Sequence, residues 1–176
     1  MDEIVPIGSR AYCLFLAVLL ASRGADFLST WIATPNLVLE GNPLARRLGW
    51  KWGSLLNIVL CAALAAWPTA AIIFGTTSAL VAARNFQVAW LMRLLGEEHY
   101  RAWYVDQLRQ VNLRVYLFCL LSQTLLTAGV GASLMYFCEN RLIPFAVGFG
   151  IIGYAAAVAF YTLLSLWRVR RRAGGP

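Results

Sequence analysis

The sequence predicts an all-α polytopic membrane protein: four transmembrane helices, with an amphipathic helix on the inner leaflet between the second and third. Of its 176 residues, 60% are hydrophobic and 13% charged, against roughly 45–50% and 25% in a soluble domain. The apolar residues fall in runs long enough to cross a bilayer, about 20 residues each, and the basic residues flank those runs. That flanking pattern decides how the net charge of +7 is read: it orients a chain in lipid, and no nucleic-acid partner is expected. The length suits one transmembrane domain and leaves no room for a second, globular one.

The first span is expected over about 10–34, ended by Pro35, which disfavours helix in the residue before it and donates no backbone hydrogen bond. Residues 11–21 resemble the apolar stretch of a secretory leader. However, the preceding MDEIVPIGSR is net acidic, and Ser22-Arg23-Gly24-Ala25 offers no small-x-small cleavage site, so the segment reads as a retained span. Its uncharged run of 11 residues is too short to cross a hydrocarbon layer of about 30 Å, which forces Arg23 and Asp26 into the membrane or its boundary.

The second span is expected over about 53–83, an uncharged stretch with Pro68 at its middle, tilted or kinked. The third, about 115–138, and the fourth, about 142–167, form a hairpin around Glu139-Asn140-Arg141. Four crossings put both termini and the middle loop on one side. That side then holds ten of the 15 Lys and Arg, the other holds four, and Arg23 lies inside. The positive-inside rule makes the richer side the cytoplasm, with an inner-membrane location. The Arg-rich C-terminus reads as a stop-transfer anchor ending in a disordered Ala-Gly-Gly-Pro.

Between the second and third spans, about 86–110, Tyr100, Trp103, Tyr104, Leu108 and Val111 recur at helical spacing. On such an interfacial helix the aromatic rings sit at headgroup depth, and Arg101 and Arg109 meet anionic lipid. Glu97 and Arg101 are placed as an i,i+4 ion pair.

The candidate polar cluster is Arg23, Asp26, Thr30, Glu40, Asn42 and Asn57. A charge at the bilayer centre costs on the order of 2.5–3.5 kcal/mol even on insertion scales, so the pair must be compensated. Arg23 and Asp26 share a face at i,i+3, and Thr30 extends the stripe at i+4. Asn42 before Pro43 reads as an N-cap followed by proline at the first helical position, opening a short helix on the outer surface. Glu40 and Asn42 can fold back towards Asp26 and Thr30. If they do, the cluster is either a salt-bridge and capping lock or a pair of carboxylates for a cation, a proton or acid–base work. Asn57 joins that cluster or hydrogen-bonds between helices.

Other motifs carry less. Gly148-Phe149-Gly150-Ile151-Ile152-Gly153 fits a dinucleotide fingerprint but lies inside an apolar span, so it reads as close helix packing together with Ala128, Gly129, Gly131 and Ala132. The single histidine, His99, near Glu97, Glu98 and Asp106, reads as a solvated face and not as a metal site. Cys13, Cys61, Cys119 and Cys138 form no paired motif. Neither the ligand pair of a haem bundle nor the paired cysteines of a quinone-linked disulfide enzyme are present, and no cofactor is assigned.

Asp26, Thr30 and the turn Glu40-Gly41-Asn42-Pro43-Leu44 resemble, over the first half of the chain, a family of uncharacterised small prokaryotic membrane proteins. Their first helix carries an Asp and Thr pair followed by a Glu-x-Asn-Pro turn. The resemblance implies a four-helix architecture and singles out Asp26, Thr30, Glu40 and Asn42, with no activity attached. Three functions are expected in order: an accessory or assembly component acting through helix faces and the interfacial helix, with other membrane subunits or a second copy as partner; a cation- or proton-binding protein using Asp26 and Glu40; and an intramembrane hydrolase or lipid-modifying enzyme.

Overall fold

The computed structural model describes residues 4–173, apart from the side chains of Leu44, Arg172 and Ala173. The expected disordered end, Ala-Gly-Gly-Pro, lies almost wholly outside the described residues. The described chain is all helical: α1 (Arg10–Ala33), α2 (Pro43–Leu64), α3 (Pro68–Leu95), α4 (Glu97–Gln110), α5 (Leu113–Tyr136) and α6 (Leu142–Ala173). Three of these, α1, α5 and α6, are long and apolar enough to cross a membrane. In the most apolar stretches of α1 and α5 only 11% of residues are buried within the protein, so water is a poor solvent for the remainder and lipid a good one. The chain is therefore a multi-pass membrane protein.

Local signals place the helix ends. Ser9 caps α1, its hydroxyl accepting from the Tyr12 N–H at 3.2 Å, and α1 closes at Thr34, whose N–H reaches the Thr30 carbonyl just before Pro35. Asn42 opens α2 with Pro43 next, and its carbonyl accepts from Arg46 N–H. The short first piece of α2 ends at Gly49, whose φ of 62° and ψ of −172° suit glycine alone. Asn112 caps α5 through the Arg114 N–H at 3.0 Å.

The middle of the chain departs from the expected single span over 53–83. The apolar run is divided at Ala65-Ala66-Trp67, where the chain reverses and Pro68 starts a new helix. The Val5 N–H donates to the Ala66 carbonyl at 2.9 Å, tying the N-terminal segment to this turn. Along α1, the residues met on α2 run in descending order: Tyr12 bonds the Ala62 carbonyl, Arg23 bonds Asn57, and Phe27 lies edge-on to Trp50. The two helices are antiparallel. With α3 the order ascends, from Val18 and Ser22 beside Gly75 to Arg23 at Ser78, so α1 and α3 are parallel.

The hairpin of α5 and α6 forms where the Glu139-Asn140-Arg141 connection leads the sequence to expect it. Its crossing is made by Gly131 and Gly148: a β-carbon on Gly131 would lie 2.6 Å from the Gly148 carbonyl oxygen, and one on Gly148 would lie 2.5 Å from that of Gly131. α6 then meets α3 at Gly150, where an added β-carbon would fall 2.8 Å from Thr76, and Thr77 Oγ1 donates to the Gly150 carbonyl. Small residues let helix backbones approach closely where lipid supplies no hydrophobic drive.

These contacts place the loop 34–42, the whole of α4 and the end of α6 at one end of the bundle. The start of α1, the 65–67 turn and the 137–141 turn are at the other. The first and last described residues are thus at opposite ends, in contrast to the even number of crossings expected, because the 65–67 reversal adds one traverse. The interfacial helix expected over 86–110 is likewise divided: residues to Leu95 continue α3, and Gly96, with φ of 77°, turns the chain into α4.

Candidate functional site

Arg23 sits midway along α1 and reaches both neighbouring helices. Its Nε donates to Asn57 Oδ1 at 2.8 Å, and Nη2 donates to the same oxygen. Nη1 donates to Asp26 Oδ2 and to Ser78 Oγ, each at 3.2 Å. The Asn57 amide is held in turn by the Gly53 carbonyl at 2.8 Å, which fixes its oxygen towards the guanidinium. All three nitrogens of Arg23 are therefore engaged, by one carboxylate and two neutral oxygens from α1, α2 and α3. This is the single ion pair among the described residues, with side chains 31% and 17% exposed for Arg23 and Asp26. In a low-dielectric surrounding such hydrogen bonds strengthen, and each unmade one costs more.

The other members of the expected cluster surround this core less tightly. Glu40 lies within electrostatic reach of Asp26 while its Oε1 accepts from the Asn42 N–H at 2.7 Å. Asn42 caps α2 with its carbonyl. Thr30 contributes its carbonyl to the close of α1.

Sequence reasoning did not single out Ser78. It closes a Thr-Thr-Ser run inside an apolar helix, and its role depends on α3 lying beside α1. In contrast to the i,i+4 ion pair with Arg101 that the spacing predicts, the Glu97 carboxylate turns away from its own helix to the first loop. Oε2 accepts from the Thr34 hydroxyl at 2.9 Å and the Val38 N–H at 3.1 Å, and Oε1 accepts from the Asn36 N–H at 2.9 Å and the Asn36 amide at 3.2 Å. Partial burial alone would raise its pKa, but these four donors outweigh it and hold Glu97 below the usual carboxylate range. Glu97 thus clamps the loop 34–39 to the start of α4.

On α4, Trp103, Arg101 and Arg109 are exposed, and Tyr104 is half-buried. Tyr100 differs: it is buried in the protein, stacked on Tyr104 with ring centroids 6.1 Å apart and against Trp103 at 5.6 Å. His99 is exposed.

The chain matches no family model, no curated protein sequence and no solved structure.

Proposed function

We propose that this chain is a five-crossing integral membrane protein, N-terminal end outside and C-terminal end in the cytoplasm, that serves as an accessory or assembly component of a membrane complex. The orientation rests on charge. With α2 and α3 each taken as a crossing, twelve of the 15 Lys and Arg fall at or towards the end that carries α4, two at the opposite end, and Arg23 between. That asymmetry exceeds the ten against four of a four-span arrangement, and it assigns the α4 end to the cytoplasm.

The observation that carries the functional reading is the closed state of Arg23. A guanidinium whose every nitrogen has an internal acceptor locks three helices together. It also occupies, with its own positive charge, the place a cation would take beside Asp26. The outward faces of the helices are then the working surfaces. Photocrosslinkers placed at Trp52 on α2 and Trp103 on α4, both exposed, test this in intact membranes. A discrete adduct of constant mass, to another chain or to a second copy, is the expected result. Lipid adducts alone at both positions would overturn it.

One observation favours a second reading: Glu40 lies within electrostatic reach of Asp26, as two carboxylates serving a proton or cation would. Proteoliposomes separate the two. A proton or cation flux abolished by both Asp26→Asn and Glu40→Gln supports that second reading, and unchanged or absent flux leaves the structural one.

A further inference from the structure

Helix α5 packs on α6 through Gly131 and leaves a different side facing outwards. Along that side the exposed residues Cys119, Gln123, Leu126, Val130 and Ser133 follow one another at intervals of four and three, with Phe137 next at the C-cap. This is the a/d spacing of a heptad, which keeps one seam of a helix turned towards a neighbouring helix over its whole length. Exposed leucine and valine are ordinary on a helix in lipid. Gln123 is not. It is the eleventh of the 24 residues of an apolar span, which at a rise of about 1.5 Å per residue puts it roughly 15 Å from the helix start. That is the centre of a hydrocarbon layer of about 30 Å.

The Gln123 amide makes no hydrogen bond to any described residue. Asn57, the amide inside α2, is by contrast held at both ends, its oxygen by Arg23 and its NH2 by the Gly53 carbonyl. Ser133, on the same seam as Gln123, satisfies its hydroxyl on the Gly129 carbonyl at 2.9 Å. Gln123 therefore presents two N–H donors and a carbonyl acceptor to a medium that offers neither, at a high cost, and its short side chain cannot carry them to the headgroups. The missing partner belongs to another chain. A carboxamide combines donor and acceptor, so a second carboxamide complements it fully. Two copies of this chain inserted in the same direction are related by a twofold axis along the membrane normal, which sets equivalent residues of parallel helices opposite each other. On the α5 seam, that places Gln123 against Gln123 of the second copy.

We propose that α5 pairs in parallel with α5 of a second copy of this chain along the seam from Cys119 to Phe137, the two Gln123 amides hydrogen-bonding to each other at its centre. A single polar residue at an a position fixes the register and the number of strands in paired helices, and side-chain amides bond across helices in membranes. Leu126 and Val130 then interdigitate with their equivalents, and the small Ser133 lets the helices converge. The α6 contact at Gly131 lies on another side of α5 and is undisturbed. This inference deepens the assembly reading by naming a second copy as the partner, and it rests on that reading's placement of α5 across the membrane.

The test uses the full chain in intact membranes, with copper phenanthroline as oxidant and the mass on a non-reducing gel as readout. A disulfide needs Cα atoms within about 7 Å, so its yield reports which residues face each other. With Cys13, Cys61 and Cys138 replaced by Ser, the native Cys119 should give a band at twice the mass of the chain. In a background lacking all four cysteines, Leu126→Cys and Val130→Cys should do the same, whereas Leu121→Cys and Leu125→Cys, equally exposed but off the seam, should stay monomeric. In a neutral detergent, Gln123→Leu should weaken self-association about threefold to thirtyfold, the range that interhelical hydrogen bonds in membranes span. Gln123→Asn should retain part of it. An unfolding curve of the Gln123→Leu monomer matching the parent monomer separates lost pairing from lost folding. Equal disulfide yields on and off the seam, an adduct to a different protein in place of the doubled band, or unchanged association of Gln123→Leu would overturn the proposal. Discrete adducts at Trp52 or Trp103 together with flat α5 yields would leave the assembly reading standing and overturn this one.

Discussion

Replacing Arg23 by Met gives the sharpest test of the three-helix lock. The change removes four hydrogen bonds at once and leaves Asp26 without a counter-charge while Asn57 and Ser78 lose their donor. Breaking a fully buried pair by removing one partner costs roughly 3–5 kcal/mol. The two side chains here keep 31% and 17% of their exposure, so water relieves part of the loss and about 2–3 kcal/mol is expected. Two kcal/mol is about a thirtyfold change in the unfolding equilibrium. The double variant Arg23→Met with Asp26→Asn removes both charges and should recover about 1 kcal/mol of the loss, a coupling typical of groups in direct contact. Reversible unfolding in mixed micelles, titrated with a denaturing detergent, reads the parent, each single variant (Arg23→Met and Asp26→Asn) and the double variant on one scale. A single variant within about 0.5 kcal/mol of the parent, or single losses that simply add in the double variant, would refute the lock.

Three further outcomes follow from the fold and from the orientation proposed above. In a background lacking the four native cysteines, an impermeant maleimide should label Ile7→Cys and Phe137→Cys on intact cells but reach Gly41→Cys and Glu98→Cys only after permeabilisation; Gly41 and Glu98 on opposite sides would break the bundle topology. Gly131→Ala should cost about 1–3 kcal/mol in the same unfolding assay through overpacking against Gly148. By comparison, Gly129→Ala, whose β-carbon meets nothing within 4 Å, should be neutral or stabilising by up to about 1 kcal/mol through helix propensity. The Glu97 clamp should depend on pH. Because the folded-state pKa is depressed below the ordinary value of 4.5, its contribution is fully present above that value and is lost as pH falls through the lower, folded pKa. Exchange of the Asn36 and Val38 amide protons, corrected for intrinsic rate, should therefore accelerate only in acid, and in Glu97→Gln at all pH values.

Much of this architecture is written locally. Hydropathy and length alone place α5 and α6 to within two residues at their starts, since an apolar run of more than 20 residues has few alternatives to a membrane helix. Asn42 before Pro43, and Pro35, mark helix boundaries by chemistry confined to one turn. The compensation of Arg23 by Asp26 is legible too, because i,i+3 spacing is a property of one helix and a lone charge at that depth is prohibitive.

What tertiary structure alone decided lies in contacts between distant segments. Ala65-Ala66-Trp67 reverses the chain with residues as apolar as the helices on either side, so no dip in hydropathy announces the turn; it is held by Val5, about sixty residues earlier. That one reversal determines which end carries Glu40 and Asn42, and brings Ser78 to Arg23. Glu97 looks from the sequence like one more solvated charge on a helix. Only the parallel packing of α3 against α1 delivers it to Thr34, Asn36 and Val38, because hydrogen bonds between residues some sixty positions apart leave no periodicity behind. Burial in lipid follows from the composition of each segment by itself, whereas the number of traverses and the partners of each charge depend on how segments pack together.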